Sequence, residues 1–345
     1  MTIEIDGRYG EGGGQILRTS LALSAILRKP VGIHHIRGGR KKPGLRPQHL
    51  MAVKAMASIT SAHVKGAKPG SMQLFFEPRQ INPGSYSFDV GTAGSTSLVL
   101  QTMIPALLFG ERESRVVITG GTHVPWSPCF DYLKEVFAPA IQETDGSLYL
   151  EIERWGWYPK GGGKIVARIS PVSGIRAVLR TRRGKVEDIY VLSAVSNLPI
   201  TIGERQRDQA IRRLYNHDFQ ATRVKLVNAP SPGTGTLVFI RPRFEGGAAG
   251  FSSLGKKGRQ AEKVADEACS EFFEFMDSEG AVDNHLADQL VLYMALAKGR
   301  SLLVTNRITT HLKTNMWVVD RFLPVNFEVD ELSGRVSVEG IGFST

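Results

Sequence analysis

The segment from Gly7 to Leu23, GRYGEGGGQILRTSLAL, sets three consecutive glycines between a short β-branched run, Ile3–Ile5, and a run of helical period, Gln15–Leu27. A strand that turns through glycines into a helix is the opening of an α/β-type supersecondary unit. A second stretch, GWYPKGGGKIVARISPV from Gly156 to Val172, again places three glycines before an apolar-rich run. Such internal similarity suggests a duplicated element. Around these two stretches, strand-like runs at Gly32–Ile36, Leu74–Phe76, Val116–Thr119, Leu148–Glu153 and Lys164–Ile169 alternate with helical candidates at Pro47–Ile59, Ser95–Leu108 and Phe130–Gln142. The alternation predicts an α+β protein with α/β-type repeats, not a sandwich or a bundle.

Composition shifts after Pro171. The basic stretch RAVLRTRRGK (176–185) introduces a strand candidate, Ile189–Ser193, and a basic helix candidate, Glu204–Tyr215. A turn cluster (228–236), a strand (Leu237–Arg241), a glycine-rich loop (245–258) and a long amphipathic helix candidate (Arg259–Met276) follow. We read 184–278 as a smaller α/β domain inserted into a large domain made of 1–183 and 279–345. The earlier style then resumes with a helix at His285–Ala297, a strand at Leu302–Thr305, His311 at the lip of a helix at Asn315–Phe322, and a closing pair of strands.

The 345 residues carry 43 Lys+Arg against 33 Asp+Glu, a net charge of +10. That surplus favours an anionic partner such as nucleic acid, nucleotide or membrane surface. Cys129 and Cys269 lie far apart with no CxxC, so neither a disulfide framework nor a structural zinc site is supported. The N-terminus MTIEIDGRYG lacks the basic start and apolar run of an export signal. The most apolar window, Ser97–Phe109, is too short for a membrane span. A soluble, cytoplasmic protein is expected.

The run Gly10–Gln15, GEGGGQ, opens a helix, where backbone amides can face phosphate. Neither the P-loop ending nor the dinucleotide spacing is present, and a tight turn for close packing is the plain alternative. Glu11 argues for function: a carboxylate beside an anion site suits a divalent cation held between it and phosphates. Arg18 lies one helical turn on. The loop IRGGRKKPGLRPQH (36–49) concentrates Arg37, Arg40, Lys41, Lys42 and Arg46 ahead of Gln48. It reads either as a solvated surface or as a phosphate track, and arginine favours the track because its planar fork grips phosphate oxygens. GTAGSTSLVLQT (91–102) brings another small-residue turn to a helix start and places Gln101 in an apolar helix. None of the eight histidines forms a metal-binding pattern, but His285 and His311 each sit among polar groups at a strand–helix junction.

Together, GEGGGQILR, IRGGRKKPGLRPQH, GTAGSTSLVLQT, GGTHVPWSP (120–128), GWYPKGGG, HLADQL and THLKTN, in this order and spacing, resemble the RNA 3′-terminal phosphate cyclase family over nearly the whole chain. The resemblance implies repeated βαβαββ units like the C-terminal domain of a bacterial translation initiation factor, with an architecture shared by enolpyruvyl transferases. It implies ATP-dependent conversion of an RNA 3′-phosphate to a 2′,3′-cyclic phosphate, with AMP and pyrophosphate released and a divalent metal, Mg or Mn, required. Carried over by motif, His311 is the covalent carrier of AMP and Glu11 the metal residue. Arg18, Arg37, Arg40 and Gln48 line the pocket for the RNA end. Gln101, Pro128, His285, Leu286, Ala287, Asp288 and Gln289 bind ATP. A neutral imidazole, with a reference pKa of about 6.5, suits nucleophilic attack near neutrality. One departure is His285, where many relatives carry Tyr. The main alternative is a non-catalytic relative of the same fold that acts in ribosome assembly, but such relatives lack the carrier histidine. An enolpyruvyl transferase fits the charge and the histidine less well, and a generic RNA-binding module would need aromatic stacking platforms, which 8% aromatics and no RNP-like motif do not supply.

Overall fold

A computed structural model describes residues 1–344. β1 (Ile3–Asp6) leads through the glycine turn into α1 (Gly14–Leu27), which returns to β2 (Val31–His34), parallel to β1 with Ile3 opposite Val31. α2 (Pro47–Thr60) starts on a proline whose missing N–H is harmless in a first turn. It delivers β3 (His63–Lys65) and β4 (Leu74–Glu77), giving a sheet of order β1-β2-β4-β3 in which β4 is antiparallel to both neighbours. A second sheet has the same pairing. β5 (Ser85–Asp89), α3 (Thr96–Leu108) and β6 (Ser114–Gly120) form its parallel pair. Next come α4 (Phe130–Tyr132), a π-helical turn over Leu133–Phe137 and α5 (Ala138–Gln142). β7 (Ser147–Arg154) and β8 (Gly163–Ser170) complete the order β5-β6-β8-β7.

β9 (Leu179–Arg180) opens a third sheet that only the end of the chain completes. Between lie β10 (Val186–Ser196), α6 (Ile200–Tyr215), β11 (Arg223–Asn228), β12 (Gly235–Phe244), β13 (Gly247–Ala248), β14 (Phe251–Leu254) and α7 (Ala261–Met276). Their five strands make a separate sheet, and one face of it packs with α6 and α7 into a second apolar cluster that includes Val191, Ile240, Cys269 and Phe272. α8 (Asn284–Leu296), β15 (Lys298–Val304), α9 (Thr310–Phe322), β16 (Phe327–Asp330) and β17 (Arg335–Ile341) then give the order β16-β17-β15-β9, with β15 parallel to β9. The structure thus has the mixed α+β character expected from the alternation of runs.

The two triple-glycine stretches are not equivalent positions. Gly14 opens a helix, whereas Gly163 opens β8, a strand paired on both sides. What recurs is strand order, which a glycine count cannot reveal.

The site is positioned by helices. α1 is apolar around most of its circumference, with Ile16, Leu17, Leu21 and Leu23 buried, because it packs on α2, α3 and α9 at once. α8 is similarly buried and packs on α9. Asp283 caps α8: its Oδ1 accepts from the amides of His285 and Leu286, both at 3.0 Å, and from the Tyr132 hydroxyl at 2.7 Å. Asp283→Ala removes the cap and orphans a buried hydroxyl, so it should destabilise the fold by about 2–3 kcal/mol. A urea midpoint equal to that of the parent would contradict this account of the cap. Among the described residues, no helix is long and apolar enough to cross a membrane.

Candidate active site

Glu11 occupies the turn between β1 and α1. Its neighbour Gly12 has φ +55°, and a Cβ there would come within 2.6 Å of the Gly39 nitrogen. Only glycine combines that backbone with that approach. The contact, in which the Gly39 amide donates to the Gly12 carbonyl at 3.2 Å, clamps the loop after β2 onto the loop after β1. It delivers Arg40 to Glu11, Nη2 to Oε1 at 2.7 Å. The Glu11 amide also donates to the Thr314 hydroxyl on α9 at 3.2 Å.

His311 lies in the first turn of α9, which Thr309 caps through the Leu312 amide at 3.0 Å. Its Nδ1 is 2.8 Å from Asp288 Oδ2 on α8, and its Nε2 faces Glu11 Oε2 at 3.5 Å. Asp288 thereby favours the tautomer with hydrogen on Nδ1 and leaves Nε2 as the outward nitrogen. A buried brace fixes these helices to one another. The Thr19 hydroxyl of α1 donates to Asn315 Oδ1 at 2.6 Å, and Asn315 Nδ2 donates to the Asp288 carbonyl at 2.7 Å.

Burial alone would lower the His311 pKa, but the charge and hydrogen bond of Asp288, with Glu11 behind them, raise it above its ordinary value. The free protein therefore holds the imidazole proton more tightly than an isolated histidine does, contrary to the expectation from the reference pKa. Arg18 is half-buried on the next turn of α1, where burial drops its pKa to about 10 against the opposing pull of Asp288 and Glu11. It remains a cation at neutral pH. Its Nη2 donates to Gln15 Oε1.

The remaining expected residues fall into distinct settings. Arg37 has φ +56° and directs Nη1 to the carbonyls of Lys42 (2.6 Å) and Gly44 (3.0 Å), so part of its guanidinium builds its own loop. Gln48 Oε1 accepts from the Ser95 amide at 2.9 Å and joins the starts of α2 and α3. Gln101 is half-buried on α3, and Pro128 is half-buried in the loop before α4. His285 is exposed, edge-on to Tyr132 with ring centroids 6.4 Å apart. Leu286 and Ala287 are different: both side chains are wholly buried in the core, and their amides bond Asp283. They serve the helix and offer no side-chain contact to a ligand.

Of the expected site residues, three present buried acceptors that lack hydrogen-bond partners: Glu11 Oε2, Asp288 Oδ1 and Gln289 Oε1. Buried acceptors are ordinarily satisfied, and each orphan costs about 1–3 kcal/mol. Among the described residues, no three His, Cys, Asp or Glu side chains form a metal cage.

Sequence reading assigns no role to His49 or Thr19, and takes Thr314 and Asn315 only as polar neighbours of His311. His49 is buried against Gly14, where a Cβ would meet its Nε2 at 2.3 Å. Burial, reinforced by Arg18, Arg37, Arg46 and Arg40, depresses its pKa to about 3. It is a neutral spacer among four cations. Its place at the end of the basic loop was the available signal.

A sequence model described as RTC, RNA 3′-terminal phosphate cyclase, matches residues 9–329. Relatives named RNA 3′-terminal phosphate cyclase come from Pyrobaculum aerophilum, 44% identical with 100% of both chains covered, and Koribacter versatilis, 43% identical with 95% of this chain and 92% of the relative covered. A third, from Methanosarcina acetivorans, is 39% identical, with 97% of this chain and 99% of the relative covered. With the match spanning both the glycine turn and the His311 helix, the chain belongs to the RNA 3′-terminal phosphate cyclase family.

Proposed function

We propose that this chain converts an RNA 3′-phosphate into a 2′,3′-cyclic phosphate at the expense of ATP, with His311 as covalent carrier. The observation that carries the assignment is the His311 imidazole, pinned at Nδ1 by Asp288 with Nε2 turned towards Glu11. The Nε2 lone pair attacks the α-phosphorus of ATP, the bond to the β-phosphate oxygen breaks, and pyrophosphate leaves. The hydrogen stays on Nδ1 and is donated to Asp288, whose negative charge balances the cationic character of the phosphoramidate. An oxygen of the RNA 3′-phosphate then displaces the imidazole and takes the adenylate. The vicinal 2′-hydroxyl attacks the 3′-phosphorus and expels AMP, a ring closure favoured by intramolecular proximity. A substrate without that hydroxyl stops at the adenylate.

Glu11 fits a divalent cation: its Oε2 is a carboxylate oxygen without a hydrogen-bond partner, and Mg²⁺ typically takes one or two carboxylates plus substrate phosphates. A bound cation would supply charge neutralisation on the triphosphate. Glu11, facing such a cation, would stabilise a proton on Nε2 less, which would lessen the rise of the His311 pKa. Arg18 and Arg40 contribute fixed positive charge for phosphate, Arg37 and Gln48 shape the loops around the RNA end, and Gln101, Pro128, His285 and Gln289 border the nucleotide. The three four-stranded sheets are read as copies of one βαβαββ unit of the translation-initiation-factor type, on the support of their common pairing order. Residues 184–278 are read as the inserted domain, on the support of its own sheet and apolar cluster.

The test is product analysis: ATP and Mg²⁺ or Mn²⁺ should make the end of a 3′-phosphorylated oligoribonucleotide resistant to phosphatase. An end that stays phosphatase-sensitive would refute the reading. Glu11→Ala should slow adenylylation and shift the metal titration to higher concentration by about tenfold or more. An unchanged titration would remove Glu11 from the metal site.

A further inference from the structure

Three loops, in which only Pro128 has been assigned above, form one connected layer at the end of the second sheet: 91–95, 121–129 and 155–163. The Gly121 amide donates to the Gly94 carbonyl at 2.8 Å, the amides of Thr122 and His123 share the Gly156 carbonyl, and His123 pairs with Trp157. The layer is rigid at its base. His123, 1% exposed, stacks on Trp155 with centroids 3.9 Å apart and is held on both ring nitrogens, by Thr122 Oγ1 and Asp131 Oδ2, each at 2.8 Å. Gly161 lies against the 91–95 loop so closely that a Cβ would fall 2.7 Å from the Thr92 carbonyl oxygen.

On this base stand two aromatic rings that no core requires. Trp126 is 97% exposed and Tyr158 is 66% exposed. Trp126 also has φ +60°, a region that a bulky L residue rarely adopts. An apolar ring turned fully to water on a left-handed backbone is the kind of outlier that function retains. Lys160, two residues from Tyr158, is exposed and has no ion-pair partner among the described residues. The layer adjoins the proposed RNA-end pocket, because Ser95, paired with Gly121, is the residue whose amide Gln48 holds.

We propose that Trp126, Tyr158 and Lys160 form a track for single-stranded RNA immediately upstream of the 3′-terminal nucleotide. Bases stack on the two rings and the intervening phosphate meets the lysine, the combination that binds single strands without reading sequence. The track rests on the cyclase reading for its direction, since the 3′ end lies at Gln48. It gives the reaction a preference for chain length, not for base identity.

The test compares a 3′-phosphorylated hexaribonucleotide with a 3′-phosphorylated dinucleotide. Trp126→Ala with Tyr158→Ala should raise KM for the hexamer about tenfold or more. KM for the dinucleotide and the rate of protein labelling by ATP should stay unchanged. Trp126→Phe, which keeps a stacking face, should restore much of the hexamer KM. Equal effects on both lengths, no effect on either, or slowed labelling by ATP would overturn the track. Binding of a 3′-hydroxyl hexamer, followed by fluorescence anisotropy of the labelled strand, separates this proposal from the cyclase reading. Binding weakened by the double variant supports the track even if no end is cyclised. Binding unaffected by it overturns the track even if cyclisation proceeds.

Discussion

His311→Ala is expected to abolish both adenylylation of the protein and cyclisation of RNA, a loss on the order of 10⁴-fold or more, as for removal of other enzyme nucleophiles. Among the described residues no second nucleophile stands in the site: the neighbouring carboxylates Asp288 and Glu11 hold or face the imidazole, and Arg18 and Arg40 are cations. Folding should be spared, because the side chain is 35% exposed and lies at the first turn of α9, outside the apolar core. Loss of label with an unchanged urea midpoint is the predicted pair of results. Undiminished labelling of the variant would transfer the carrier role elsewhere.

Arg18→Ala is expected to reduce adenylylation by about 10²–10³-fold, the range seen when one preorganised donor to developing charge is removed. The physical reason is local charge balance. Arg18 is the half-buried cation that both Asp288 and Glu11 favour. Without it burial alone opposes the two carboxylates at His311, whose pKa Arg18 now pulls down. The variant therefore loses phosphate binding and holds the imidazole more often as the non-nucleophilic cation. Arg18→Lys should fall between the two, since it keeps the charge but lacks the bidentate fork. Single-turnover labelling at saturating ATP measures the chemical step apart from ATP binding. A variant that differed from the parent only in KM would confine Arg18 to binding.

The helices were legible because their apolar periodicity is strong. α1 was expected over Gln15–Leu27 and runs Gly14–Leu27, and the Phe130–Gln142 reading spans α4, the π-helical turn and α5. Elements whose order comes from partners were missed. β3 is three residues, His63–Lys65, and β9 is two, Leu179–Arg180; runs that short carry no period and exist only through pairing with β4 and β15. β5 did carry a signal, the serine–aromatic alternation of Ser85–Asp89, which is too short to stand out. α9 begins at Thr310, not Asn315, because its first turn is polar. Thr309 was the clue, a capping residue followed by Leu312, which it caps.

The candidate site divides in the same way. Motif resemblance picked out Glu11, Arg40, Asp288 and His311 separately, but no spacing rule joins residues so distant in the chain. Their meeting depends on the close approach of Gly12 to Gly39 and on the Thr19–Asn315–Asp288 brace. Those are tertiary contacts between helices that local patterning leaves independent. The same holds for His49, whose neutrality follows from four arginines gathered by folding.

The most direct test is a chase from the isolated intermediate. Protein labelled with α-³²P-ATP is freed of nucleotide and given a 3′-phosphorylated oligoribonucleotide without further ATP. The account predicts that acid-labile label leaves His311, that AMP appears, and that cyclic ends form in equal amount to the label lost. Label that stays on the protein, or AMP released without a cyclic end, would contradict it.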